Sequence, residues 1–108
     1  MKRIVVYVNP DKRDTIAKLN GSAVSIIMHI YFEMKVGSNI VILRPDEVMK
    51  GARIKTEKTY RLGIKQLIAY NIIKRTKLFT YEVNKEFAVC DTEDNTHHNG
   101  TGLITGYV

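Results

Sequence analysis

The sequence predicts a small α+β domain, and three patterns in its 108 residues lead to that prediction. A β-branched apolar run at residues 4–8, closed by an Asn-Pro-Asp sequence, predicts a strand followed by a turn. Apolar side chains recur at i, i+3, i+4 and i+7 across residues 22–36, which is typical of an amphipathic helix. Two β-rich runs at residues 72–76 and 79–83, separated by a tight bend, predict a hairpin.

Short local signals predict the elements around the amphipathic helix. Residues 11–19 favour one or two helical turns before the chain reaches Asn20, which precedes the helix. Gly37 follows the helix and predicts its C-terminal end. Residues 39–43 are β-branched and bounded by polar residues, so they predict a brief strand.

Two further helices are predicted in the middle of the chain. Pro45 occupies a first helical position with two acids behind it, and this short helix stops near Gly51. Thr56 is a capping residue for the next helix, predicted at residues 57–70. Asn71 follows, and asparagine tolerates the left-handed conformation that ends many helices.

The order helix, short strand, helix, turn, helix, hairpin predicts a winged helix-turn-helix: a three-helix core with a short strand and a C-terminal β-hairpin wing, preceded here by an N-terminal strand. Residues 19–88 are predicted to form this domain. Residues 1–18 are interpreted as an N-terminal strand with a short helical extension. Residues 89–108 are interpreted as a C-terminal tail, ordered only in part, whose final LITGYV run pairs as a strand or docks its apolar side chains.

Positive charge is concentrated in one segment of the chain. Residues 50–77 contain nine lysines or arginines and one acid, Glu57, a net charge of +8, whereas the other 80 residues have a net charge of −2. A single basic amphipathic helix is most often only a solvated surface. Here segregated charge, helix-turn-helix spacing and a basic hairpin coincide, which indicates a surface for phosphates or for an acidic partner.

The helix at residues 57–70 is predicted to have a core face and an outer face. At 100° per residue, Tyr60, Ile64, Leu67 and Ile68 fall on one side, whereas the opposite side is basic, amide-bearing and apolar. The candidates for reading DNA bases are Lys58, Thr59, Leu62 and Gln66. The candidates for holding phosphates are Lys50, Arg53, Lys55, Thr56, Arg61, Lys65, Lys74, Arg75 and Lys77. The alternative function is protein interaction, in which Leu62 and Ala69 would be apolar contacts to an acidic partner.

Residues 19–87 resemble the winged-helix domain of the replication protein L family from plasmids of Gram-positive bacteria. The Ile-Ile-Lys-Arg sequence at residues 72–75 and the Tyr-Glu-Val-Asn sequence at residues 81–84 carry the resemblance. It implies non-catalytic binding to repeated double-stranded DNA sites, in replication initiation or control of a plasmid, phage or mobile element. Winged helices also serve transcriptional regulation and plasmid partition, so these roles stay open, as do contacts with replication or transcription proteins.

A two-fold homodimer is expected, because a single DNA-binding module buries only about 600–1,000 Å². The first strand and first long helix, with Tyr31 and Met34, are the candidate dimer surfaces. No apolar run reaches the roughly 20 residues of a membrane span, and a cytoplasmic location is expected. No cofactor, metal or enzymatic activity is predicted. His97 and His98 lack a metal-ligand spacing, Cys90 is interpreted as a packing residue, and His29 is interpreted as a partly buried or interface histidine.

Overall fold

The computed structural model describes residues 3–92 and 102–107, with side chains for residues 4–92. The described chain is an α+β domain, as the sequence predicts, and it contains four α-helices and two small sheets. The strands are β1 Arg3–Val8, β2 Ile40–Ile42, β3 Ile73–Lys77, β4 Thr80–Val83, β5 Ala88–Thr92 and β6 Gly102–Tyr107. The helices are α1 Arg13–Ala17, which follows a 3-10 turn at Pro10–Lys12, then α2 Gly21–Glu33, α3 Pro45–Gly51 and α4 Glu57–Ala69.

Both sheets are antiparallel and contain three described strands each. In the first sheet β4 lies between β2 and β3, so that the predicted hairpin is flanked by the brief strand before α3. In the second sheet β1 lies between β5 and β6. The two predicted extensions at the chain ends therefore belong to one sheet, and the predicted boundary at residue 88 falls at the start of β5.

Helix α2 forms the centre of the core. Five of its side chains, Ala23, Ile26, Ile27, Ile30 and Tyr31, are buried, and they share one cluster with buried residues of α3, α4 and both sheets. Burying a large aliphatic side chain contributes about 1.5–3 kcal/mol, so this cluster dominates the stability of the domain. The structure places Tyr31 and Met34 inside this core, which contradicts their interpretation as dimer contacts.

Local capping fixes where the two long helices begin. The side chain of Asn20 accepts a hydrogen bond of 2.9 Å from the backbone of Ala23. Thr56 does the same for the backbone of Thr59, at 3.2 Å. Both caps satisfy donors that have no partner within the helix, as predicted. Helix α2 ends earlier than predicted, because Met34 turns to an extended conformation and buries its side chain, and Gly37 lies in the following turn.

Helix α4 packs against α2 through a glycine. A Cβ atom on Gly63 would lie 2.6 Å from Cδ1 of Ile26 and 3.3 Å from the backbone nitrogen of Ala23. The two helices thus approach as closely as they do because Gly63 has no side chain. This contact fixes the rotation of α4 about its axis, and hence which of its side chains face solvent.

Candidate nucleic-acid interface

All nine basic side chains of residues 50–77 are exposed to solvent. Lys50 lies near the end of α3, and Arg53 and Lys55 lie in the loop that leads to α4. Helix α4 contributes Lys58, Arg61 and Lys65, and strand β3 contributes Lys74, Arg75 and Lys77. We call these nine side chains the basic surface. Helix α3, its loop, α4 and β3 follow one another directly in the chain, so the nine cations belong to one segment of the fold.

One ion pair involves the basic surface within the described residues. Arg61 lies 2.9 Å from the carboxylate of Glu57, one turn earlier on α4, and both side chains are well exposed. Such an exposed pair contributes about 0.3–0.5 kcal/mol and leaves the guanidinium free to exchange partners. The other eight basic side chains make no ion pair with a described residue. Glu82 lies opposite Lys74 on the neighbouring strand, but the two side chains do not form an ion pair.

The outward side of α4 presents basic groups together with one exposed leucine. Lys58, Arg61 and Lys65 are exposed, and the side chain of Leu62 between them is 52% exposed. Three of the predicted base-reading residues, Lys58, Thr59 and Leu62, are therefore accessible on the first two turns of α4. The hydroxyl of Thr59, however, accepts a hydrogen bond of 2.8 Å from that of Thr56, so both hydroxyls belong to the helix cap.

The structure places Gln66 differently from the prediction. Its amide oxygen accepts a hydrogen bond of 2.8 Å from the backbone nitrogen of Asn20, and the side chain is half-buried. Gln66 therefore ties α4 to the start of α2 instead of pointing outward. On the other flank, Ile68 was expected in the core but is 40% exposed. Both differences follow from one rotation of α4 about its axis, toward the side of Gly63.

The loop between α3 and α4 is held in a conformation that its sequence does not favour. Arg53 has a φ of 56°, in the left-handed region that residues with a Cβ rarely occupy. Two backbone hydrogen bonds close the turn. The nitrogen of Arg53 donates to the carbonyl of Lys50 at 3.4 Å, and the nitrogen of Ile54 donates to the carbonyl of Met49 at 2.8 Å. Gly51 packs directly against the ring of His29 on α2, where a larger residue would collide.

An arginine outside residues 50–77 joins the end of the hairpin. The guanidinium of Arg44 lies 5.8 Å from the centre of the Phe79 ring, and the backbone of Leu43 donates a 2.7 Å hydrogen bond to the carbonyl of Phe79. Arg44 is exposed. Sequence reasoning missed it, because it precedes the basic run and only the antiparallel pairing of β2 with β4 brings it beside the β3–β4 turn.

An open cleft of about 950 Å³ connects the end of α4 with β3. Its lining includes Tyr70, Lys74 and Arg75, together with the 3-10 turn residue Lys12. Lys12 lies 3.8 Å from Glu86 and its ammonium is 5.3 Å from the centre of the Phe87 ring. The cleft is thus mixed in charge, and it extends the basic surface past the end of α4 without forming an enclosed site.

The tyrosines of the core are not phosphate ligands. Tyr60 and Tyr81 are both buried, and burial, reinforced by the neighbouring charge of Tyr81, raises the pKa of Tyr60 to about 12. Burial also raises the pKa of Tyr31 well above its usual value. The Tyr31 hydroxyl is fully buried and finds no hydrogen-bond partner in the described part of the chain.

The described residues contain no group of three or more histidine, cysteine or acidic side chains that could hold a metal ion. His97 and His98 lie outside the described residues. Cys90 is buried, with its sulfur 3.7 Å from the carbonyl oxygen of Met34, and burial raises the pKa of its thiol. His29 is half-buried against Gly51. No helix among the described residues is long and apolar enough to cross a membrane.

No protein-family model, curated protein or solved structure matches this chain.

Proposed function

We propose that the chain is a sequence-specific double-stranded DNA-binding protein, built as a winged helix-turn-helix. The observation that carries this proposal is the basic surface: nine exposed cations along α3, its loop, α4 and β3, eight of them without an ion pair among the described residues. Phosphates supply the missing negative charge, and their neutralisation releases counterions from the DNA.

In this proposal α4 enters the major groove, which is wide enough to admit a helix. Lys58 and Leu62 on its first turns read base edges, the lysine through guanine acceptors and the leucine through a thymine methyl. Thr59 is a weaker candidate, because its hydroxyl also serves the cap with Thr56. Gln66 acts mainly by positioning α4 on α2. The lysines and arginines of the α3–α4 loop and of β3 hold DNA phosphates on either side of that groove.

The resemblance to the replication protein L family suggests replication initiation or control as the role, with transcriptional regulation and partition as alternatives. A homodimer on repeated sites is proposed for the same reason as above, since one module provides little discrimination. Tyr31 and Met34 are excluded from its interface by their burial. The exposed side of α2, which contains Met28 and Phe32, takes their place as the candidate surface.

The first experiment is a fluorescence-anisotropy titration of a mixed-sequence 30-base-pair duplex at several salt concentrations. If the eight basic phosphate candidates all contact DNA, the slope of log K against log salt is about −7, and affinity falls about 10⁴-fold between 50 and 200 mM salt. Lys74→Ala should flatten the slope by about 0.9. Lys35→Ala, an exposed lysine outside the basic surface, is the matched control and should leave it unchanged.

The rival function is docking of an acidic protein onto α4, and the exposure of Leu62 and Ala69 on that helix favours it. Leu62→Ala separates the two. In a DNA-binding protein it should weaken binding to the selected site and not to random duplex, with no change of salt slope, because a leucine displaces no counterion. Absence of duplex binding even at low salt would refute the DNA proposal and leave the protein contact.

A further inference from the structure

The turn between β3 and β4 exposes an apolar side chain between basic ones. Leu78 is 66% exposed, more than any other large hydrophobic side chain in the described part of the chain. It follows Lys77, which ends β3, and precedes Phe79, which leads into β4. We call residues 77–80 the hairpin tip. An aliphatic side chain that stays mostly in water after folding gains little stability from its apolar surface.

The hairpin tip is held rigidly. Phe79 adopts a φ of 58°, a strained conformation for a bulky residue. Its carbonyl accepts the 2.7 Å bond from Leu43, and its ring lies beside the guanidinium of Arg44. The hydroxyl of Thr80 donates a 3.1 Å hydrogen bond to the carbonyl of Leu78. These contacts fix Leu78 at the apex instead of letting it fold back onto the sheet.

The position of the hairpin tip relative to α4 follows from the short helix between them. The tip is hydrogen-bonded to Leu43, shortly before α3, and α4 starts after the loop of residues 52–56 that follows α3. Helix α3 has seven residues, about 10 Å at 1.5 Å per residue. The major groove is about 12 Å wide. Helix α3 is thus about as long as the major groove is wide, so with α4 in the major groove the hairpin tip can reach across one phosphate backbone to the adjoining minor groove.

The charges around the hairpin tip distinguish a groove contact from a backbone contact. Lys77 precedes Leu78 in the chain and Arg44 lies beside the ring of Phe79, and two exposed cations at the tip suit phosphates at the edges of a groove. Asp46 and Glu47 are exposed on the first turn of α3, and they repel a phosphate placed there. A DNA strand that passes the tip is therefore favoured beside Arg44 and Lys77 and disfavoured beside the first turn of α3.

We propose that Leu78 is an apolar wedge that enters the minor groove and partly unstacks one base step, with Arg44 and Lys77 on the flanking phosphates. This inference rests on the proposed DNA-binding function. Wedges of this kind kink the duplex by about 20–90° toward the major groove, which would wrap the DNA onto the basic surface of α4 and β3. The bend would add specificity through the deformability of the step, independently of the bases that α4 reads.

The test uses the 108-residue chain and a duplex that the wild-type chain has selected from a random-sequence library. The duplex has a donor and an acceptor dye at its ends, and 2-aminopurine replaces adenine at successive positions outside the α4 footprint. Wild-type protein should shorten the end-to-end distance and raise 2-aminopurine fluorescence at one step. Leu78→Ala should abolish both signals and leave the salt slope unchanged, since no cation is removed.

The controls separate this inference from the proposed function. Leu78→Phe keeps an apolar wedge and should keep the kink, whereas Val36→Ala truncates an exposed aliphatic residue beside β5 and should change nothing. Circular dichroism checks that each variant is folded. Salt-dependent binding without a kink, or a kink that persists in Leu78→Ala, would overturn the wedge and leave DNA binding standing. Failure of the wild-type protein to bind any duplex would overturn both.

Discussion

Arg53→Gly should raise the free energy of unfolding and weaken the proposed binding to DNA. A residue that served only the fold would not show a gain in stability together with a loss of binding. Arg53 has a φ of 56° in the loop between α3 and α4, and its exposed guanidinium makes no ion pair with a described residue. The left-handed conformation costs a residue with a Cβ roughly 1–2 kcal/mol. Glycine avoids that cost but loses about 0.5–1 kcal/mol of additional chain entropy on folding. The net expectation is a gain of about 0.5–1 kcal/mol, or a melting temperature higher by about 4 °C.

The cost to DNA binding follows from counterion release. One lost phosphate contact removes about 0.9 from the slope of log K against log salt. If variant and wild type bind DNA equally at 1 M salt, this difference in slope makes the variant bind about 15-fold more weakly at 50 mM salt and about fourfold more weakly at 200 mM. The signature of a phosphate contact is thus a ratio of dissociation constants, variant over wild type, that shrinks as salt is added.

The assay pairs a salt series of anisotropy titrations with thermal melts of the free proteins. Arg53→Lys retains the charge and the backbone strain, so it should match the wild type in salt slope and in melting temperature. If Arg53→Gly lowers the melting temperature by several degrees, Arg53 is a packing residue. A ratio of dissociation constants that stays constant across the salt series would remove Arg53 from the phosphate contacts.

Four other measurements test the core. Gly63→Ala should lower the free energy of unfolding by about 1 kcal/mol, because overpacking against Ile26 outweighs the gain in helix propensity; a higher denaturant midpoint would contradict the close approach of α2 and α4. Tyr31→Phe should leave the free energy of unfolding unchanged or raise it by up to about 1 kcal/mol, because the hydroxyl has no described partner; a loss above 1 kcal/mol would reveal a hydrogen bond. Cys90 should react with a thiol reagent many times more slowly in the native protein than in denaturant, since burial shields it and raises the pKa of its thiol; equal rates would show that β5 opens freely. Finally, the pKa of Tyr60 is raised to about 12 from its ordinary 10.0, so the neutral form is favoured in the native state. Its stabilising effect is complete below pH 10 and is lost as pH rises through 12, and an unfolding free energy independent of pH over this range would contradict the burial of its hydroxyl.

Much of the central fold could be predicted because its signals are local. The cap residues Asn20 and Thr56, the proline at the start of α3 and the left-handed Asn71 each act within a few residues, and the structure confirms all four. Strand β5 was missed. Its pairing with β1 joins residues 80 to 88 positions apart, and the sequence around Cys90 lacks a clear alternation of polar and apolar residues.

The rotation of α4 could not be predicted from its own sequence. On a helical wheel Ile68 lies about 80° from Tyr60 on one side, and Gly63 lies about 60° from it on the other. Hydropathy places the core on the side of Ile68. The structure buries the side of Gly63, because α2 can approach most closely where there is no side chain, and Gln66 then meets the start of α2. The exposure of Lys58 and Leu62 was therefore predictable from the sequence, and the contact of Gln66 with Asn20 was not.

Backbone conformation supports the proposed interface independently of charge. Among the described non-glycine residues, Arg53, Asn71 and Phe79 have positive φ, and asparagine alone of these residue types adopts it readily. The other two lie beyond opposite ends of α3, one in its loop to α4 and one in the hairpin tip. Glycine would be less strained than the residue present at both positions. At position 53 the chain has an exposed arginine, and at position 79 it has a phenylalanine in the turn that exposes Leu78. Sequences depart from local preference chiefly where a side chain serves function, so these two positions point to the surface that the charge distribution selects.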